Sequence, residues 1–247
     1  MSGIAQFISS KGINTLKTWM KNGYKEIRNY DEKYSEWFAI PKSRKVTSVK
    51  PSGTISLLVG ATPGMHYPKS RFYIRRVRLN KESDLITPLK RSGFNVEPDV
   101  ANPEHTVVVS IPVDVGQGIR TLKEISIWEQ MSLAAFIQRY WSDNQVSCTV
   151  TFEPNEADQI EHSLNYFQYK LKGISFLPRK TTKVYPQMPY EEIDEETYNK
   201  MIKDIKPINF SKRKVKNEMA DVEKFCSNDT CTLTITPIKS KIKENEK

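Results

Sequence analysis

Apolar residues recur along the first forty positions at helical spacing. Ile13, Leu16, Met20, Tyr24, Ile27 and Tyr34 fall three, four or seven apart, and Trp19, Tyr30 and Trp37 widen that side. The pattern predicts a helix over 12–38, with Gly23 marking a bend and Pro41 following its end. VTSVK (46–50) is a β-branched run and reads as a strand. It passes without a spacer into Pro51-Ser52-Gly53-Thr54 and ISLLVG, a strand, a tight turn and a short helix in succession. The Pro and Gly of 61–68 predict a loop. RFYIRRVRL (71–79) and HTVVVSIPV (105–113) predict strands, and 80–92 a short helix with Asn80 as its N-cap. Over 121–142, Ile125, Trp128, Met131, Leu133, Ala135, Phe136 and Tyr140 predict the best helix in the chain. Thr121 caps it, with Glu124 three residues on. A strand over 145–152, a helix over 155–172 and a strand over 173–178 follow. Strands alternating with helices indicate an α/β domain containing parallel strands.

Past residue 180 the pattern fades. Pro186, Pro189 and Pro207 interrupt a polar stretch, and Lys206 to Lys216 holds five basic residues and no acid. This part reads as a tail or mobile extension rather than core. The whole chain is 247 residues with 38 Lys+Arg against 29 Asp+Glu, a net charge of +9. Such a balance suits a polyanionic ligand, and equally a lysine-rich solvated surface. Three cysteines exclude a dense disulfide framework. No apolar run is long enough for a transmembrane helix, and the first twenty residues lack a secretory pattern, so a cytoplasmic setting is expected.

Three features carry candidate chemistry. At Pro51–Thr54, small residues allow close backbone approach, and free amides at a helix start with the Ser52 and Thr54 hydroxyls suit a phosphate; a turn that merely caps a helix has the same composition. It is not a P-loop, since the Gly-Lys-Ser/Thr ending is missing. The strand bearing Arg71, Arg75, Arg76 and Arg78 could meet nucleic acid, but alternation splits these arginines between two faces, which favours pairing with acidic neighbours. Cys226 and Cys231 are separated by a turn-forming Ser-Asn-Asp-Thr, so their sulfurs can meet as a redox pair, or they are two unrelated thiols. Zinc would need further ligands, and no metal site is expected. Cys148 sits in a strand and is expected to be buried and inert; His66, His105 and His162 form no catalytic constellation.

The stretches KVTSVKPSGTISLLVGATPGMHYPKSRFYIRRVRL (45–79), SIWEQMSLAAFIQRYWSDNQVSCTVTF (126–152), YKLKGISFLP (169–178) and VYPQMPYEEID (184–194) resemble the adenosylcobalamin-dependent ribonucleotide reductases of the monomeric, ribonucleoside-triphosphate type. The resemblance covers nearly the whole chain. It implies the C-terminal part of a ten-stranded α/β barrel, incomplete by itself, over 1–180. A connecting segment would follow over 181–215 and a mobile redox tail over 216–247. It implies that Pro51, Ser52, Gly53 and Thr54 hold substrate phosphates, and that Cys226 and Cys231 are the shuttle pair that re-reduces the active site and is recharged by thioredoxin. Adenosylcobalamin is the implied cofactor and a ribonucleoside triphosphate the substrate, with no cobalamin contact assigned to a residue. The family's Asn-x-Cys-x-Glu radical loop does not occur in this sequence, and neither do the two reducing cysteines. A complementary reductase chain is therefore an expected partner. The rival reading is a noncatalytic, basic nucleotide- or nucleic-acid-binding remnant of the fold.

Overall fold

The computed structural model describes residues 1–50, 56, 59–179 and 186–209. Helices α1 (Ile4–Lys11) and α2 (Ile13–Trp37) are separated by Gly12, whose φ of +78° breaks the helical path. Helix α2 runs through Gly23 without interruption, and a Cβ there would come within 3.4 Å of the Trp141 ring.

The larger sheet is antiparallel. Strand β1 (Phe72–Asn80) pairs along its full length with β3 (Thr106–Asp114), in a register that sets Phe72 opposite Asp114 and Asn80 opposite Thr106. β2 (Asn95–Pro98) and β6 (Tyr190–Glu192) extend it to the order β2-β3-β1-β6. The expected parallel strands form a separate pair, β4 (Thr149–Phe152) beside β5 (Ser175–Pro178), and the segment 46–50 joins them through a parallel bridge between Val49 and Val146.

The core centres on helix α4 (Ile127–Tyr140). Ile127, Met131, Ala134 and Ile137 repeat at four, three and three residues and are wholly buried. Around them pack Val49, Val146, Cys148 and Val150 from the parallel segments, Leu16 and Met20 from α2, Ile4 from α1, and Phe167 from α5 (Gln159–Phe167). The expected single helix from Thr121 is divided. Thr121 and Glu124 close a reciprocal capping box on one 3-10 turn (Leu122–Glu124), Ile125 is extended, and Ser126 caps the true helix by accepting from the Glu129 amide at 3.3 Å. Likewise Asn80 accepts from the Glu82 amide in a local turn, and the helix expected over 80–92 is confined to α3 (Ile86–Arg91).

Residues 190–202, expected within a connecting segment or tail, are built into the sheet. β6 adds to the β1 edge, and Arg76 of β1 pairs with Glu191 at 2.6 Å. Helix α6 (Glu195–Ile202) follows, capped by the Asp194 side chain, and Tyr198 lays its ring 4.9 Å from that of Phe72. Proline-rich composition hid a three-residue strand that exists because an edge was open to receive it.

Met131→Ala removes a fully buried side chain from the centre of this core. It is expected to cost about 2–5 kcal/mol of stability. Thermal unfolding followed by circular dichroism checks this; a midpoint unchanged from the parent chain would contradict the assigned packing.

Candidate functional site

Pro51, Ser52, Gly53 and Thr54 lie outside the described residues, as do Cys226, Cys231 and most of the short helix expected after Thr54. The structure describes what brackets the first of these segments. On its approach, Thr47 and Val49 are buried while Ser48 and Lys50 face outward, the alternation of a strand with one covered side. Thr47 and Val49 carbonyls accept from the amides of Asn144 (3.1 Å) and Ser147 (2.8 Å). The Val46 amide donates to the Asp143 carboxylate at 2.9 Å.

That carboxylate also accepts from the Tyr24 hydroxyl at 2.8 Å and from Arg28 at 3.2 Å, so α2, the 46–50 segment and the end of α4 share one acceptor. Burial pushes the Asp143 carboxyl up, but the Val46 amide, the Tyr24 hydroxyl and the Arg28 guanidinium together outweigh burial and hold it below the usual carboxylate range.

Beyond the segment, Ser56 is fully buried, and its carbonyl accepts from the Ala61 amide at 2.9 Å. The N-terminal turn of α1 then grips residues 60–64. The Gln6 side chain donates to the Gly60 carbonyl (3.0 Å) and accepts from the Thr62 amide (2.8 Å). The Gly3 and Ile4 amides donate to the Thr62 and Gly64 carbonyls. Gly60 and Gly64 have φ of +61° and +51°, which lets the chain reverse there.

The loop is tied to the parallel pair by His66, whose Nε2 accepts from the Thr149 amide at 3.2 Å while Nδ1 faces the Pro63 carbonyl at 3.2 Å. An amide donates in this arrangement and a carbonyl accepts, so the partners assign a neutral ring with its proton on Nδ1. The described flanks of the candidate phosphate turn, 46–50 and 60–66, are thus anchored to α1, the chain leaving α4 and β4. Sequence reading had no means of finding Gln6, His66 or Asp143, since each acts over more than fifty residues of chain.

The other sequence candidates resolve differently. The arginine strand spends its charge within the protein, as Arg71 pairs with Asp114 at 3.1 Å, Arg78 with Asp99 at 3.2 Å, and Arg76 with Glu191. Arg75 lies over the Tyr190 ring at 4.4 Å. A nucleic-acid platform would leave such cations unpaired. Cys148 is buried, and burial pushes its thiol up to about 12, so near neutral pH it is a thiol and no nucleophile. Among the described residues no three His, Cys, Asp or Glu side chains gather in a metal-binding group, and no helix is long and apolar enough to cross a membrane.

Gln6→Ala leaves the Thr62 amide without its acceptor. Local opening there is expected to become cheaper by about 1–3 kcal/mol, so exchange of that amide with deuterated solvent should accelerate roughly tenfold or more while amides of the α4 core keep their protection.

No family profile matches the chain. Individual proteins do. The chain is 57% identical over 236 residues to a probable adenosylcobalamin-dependent ribonucleoside-triphosphate reductase of Dictyostelium discoideum, covering 94% of this chain and 31% of that one. It is 49% identical over 235 residues to the adenosylcobalamin-dependent ribonucleoside-triphosphate reductase of Euglena gracilis, covering 94% and 32%. The enzyme of that name from Lactobacillus leichmannii is 38% identical over 186 residues, or 74% of this chain and 25% of that one. A crystal structure of a B-12 dependent (class II) ribonucleotide reductase superposes with a TM-score of 0.71 at 37% identity, covering 78% of this chain and 27% of that one. The chain spans about a third of the length of the first two relatives. By sequence and by fold, therefore, it is a relative of the adenosylcobalamin-dependent ribonucleoside-triphosphate reductases that corresponds to a portion of them.

Proposed function

We propose that this chain acts as the C-terminal portion of a ribonucleotide reductase that converts ribonucleoside triphosphates to deoxyribonucleotides in the cytoplasm. The observation that carries this reading is the match across 94% of the chain at 57% and 49% identity, together with the shared fold. In the proposed enzyme, adenosylcobalamin supplies the radical that opens the reaction. The sequence around Cys148 does not provide the radical cysteine: Val146 and Val150 stand where an Asn-x-Cys-x-Glu loop needs Asn and Glu, and the thiol is buried within the core. A complementary part carrying that loop completes the site.

No cobalamin contact is assigned to a residue of this chain.

Two roles fall to this chain. Pro51, Ser52, Gly53 and Thr54 receive the substrate phosphates on backbone amides and hydroxyls. Support comes from the anchoring of the two described flanks, at Val46–Val49 and at Gly60–Gly64. Cys226 and Cys231 deliver electrons. One thiolate attacks a sulfur of the active-site disulfide, forming a mixed disulfide; the second thiolate displaces it. Two electrons and two protons pass to the active-site cysteines, and the Cys226–Cys231 disulfide left behind is reduced by a thioredoxin dithiol.

The test combines the chain with a complementary reductase part, adenosylcobalamin and a ribonucleoside triphosphate, and measures deoxynucleotide formation. Activity that requires all of them is expected, and none under any combination would overturn the reading. Cys226→Ser should abolish turnover driven by thioredoxin while sparing turnover driven by dithiothreitol, which reaches the active site directly. Equal persistence of both would remove the shuttle role. Gly53→Trp should raise the apparent KM for the triphosphate about tenfold or more by blocking close backbone approach, and an unchanged KM would remove the phosphate role.

A further inference from the structure

We propose a second anion site, for a nucleoside polyphosphate, in the groove between the outer face of α4 and the chain that leaves α5. The groove encloses about 650 Å³, lined by Phe136, Arg139 and Tyr140 on one side and by Tyr166, Tyr169, Lys170 and Lys172 on the other. That volume is within the range of small-molecule sites and suits one nucleotide.

Charge points to the ligand. Lys17 and Lys21 of α2 both turn onto the Tyr140 ring, with their Nζ atoms 4.9 and 5.6 Å from its centre, and the Arg139 guanidinium lies 5.4 Å from the same point. Lysines four apart on one helix repel one another, yet here both turn onto Tyr140, a residue of the groove lining. Lys170 sits 3.6 Å from the Tyr166 ring centre, and Lys172 donates to the Asp143 carbonyl. None of these five cations forms an ion pair among the described residues, although the arginines of β1 nearly all do. The groove's single carboxylate, Asp143, is already committed to Arg28, Tyr24 and the Val46 amide. What remains is net positive charge awaiting an anion of several charges.

The aromatic lining points to a planar group on that anion. Tyr166 carries Lys170 over its ring and makes edge contacts with Trp128 and Phe167. Tyr169 is 93% exposed, an apolar ring face held in water at the rim of a cationic groove. A base stacked on Tyr169 with its phosphates among Lys170, Lys172 and Arg139 would satisfy both features.

The test is titration of the intact chain with ATP, inorganic tripolyphosphate and a short oligothymidylate, read by calorimetry at two salt concentrations. With the proposed phosphate turn blocked by Gly53→Trp throughout, ATP is expected to bind at one site more tightly than tripolyphosphate and to weaken as salt rises. Tyr169→Ala should cost about tenfold for ATP and nothing for tripolyphosphate. The double variant Lys170→Glu, Lys172→Glu should abolish both. All three substituted side chains are exposed, so folding is preserved, and a far-ultraviolet spectrum confirms it. Tripolyphosphate binding as well as ATP, oligothymidylate binding more tightly than either, or ATP affinity unmoved by these variants would each overturn the proposal.

Discussion

One half-buried carboxylate sets the geometry on which its neighbouring segments depend. Asp143 follows directly on α4 and holds three elements at once: α2 through Tyr24 and Arg28, the strand-like 46–50 segment through the Val46 amide, and its own turn through the Thr47 hydroxyl, which accepts from its amide at 2.9 Å. Its carboxyl is held below the ordinary range, so the contribution to stability is present in full above the ordinary aspartate pKa. It is lost as pH falls through the lowered value, where the proton displaces these donors. The 46–50 segment has few ladder bonds of its own, with a single bridge at Val49, and depends on this acceptor to lie where it does.

A second clasp works in the same manner on the other side of α4. Arg179, just past β5, places its guanidinium between the carboxylates of Glu153 and Glu156 and donates to the carbonyls of Leu122 and Ile125. Glu156 in turn accepts from the Ile127 amide at 3.0 Å, so a negative charge sits at the first turn of α4, where the helix dipole favours it. The central helix is therefore held at its start by a carboxylate bound to β5 and at its end by a carboxylate bound to α2.

Elements whose identity lies in their own residues were legible in the sequence. The aromatic and β-branched runs at 71–79 and 105–113 became β1 and β3 within a residue or two, because either can bury a side of its own. Elements that exist because a neighbour receives them were not. Tyr190-Glu191-Glu192 has no strand pattern and pairs because β1 offers an edge and Arg76 a counter-charge. The start of α4 was misplaced by five residues because Thr121 and Glu124 form a sound capping box that serves a single turn. The candidate site divides in the same way. The turn at 51–54 and the cysteine pair were visible as local motifs. Gln6, His66 and Asp143 could be assigned only once distant chain segments had been brought together. The cations of the α4 groove come from positions 17, 21, 139, 170 and 172, so no charged run announced them.

The pairing of β6 with β1 has a consequence for how the protein is made. Tyr73 and Glu192 are partners across about 120 residues, and the α4 core, the parallel pair and α5 are all encoded between them. On the ribosome, β1 and β3 emerge and zip together early, while the other edge of β1 waits for most of the chain to be synthesised. Throughout that interval Arg75 and Arg76 stand without Tyr190 and Glu191, and two adjacent positive charges guard the open edge against pairing with a neighbouring nascent chain. The arginines that lock the finished sheet thus also place like charge on its open edge, and pairing with Glu191 turns that charge into the closing ion pair.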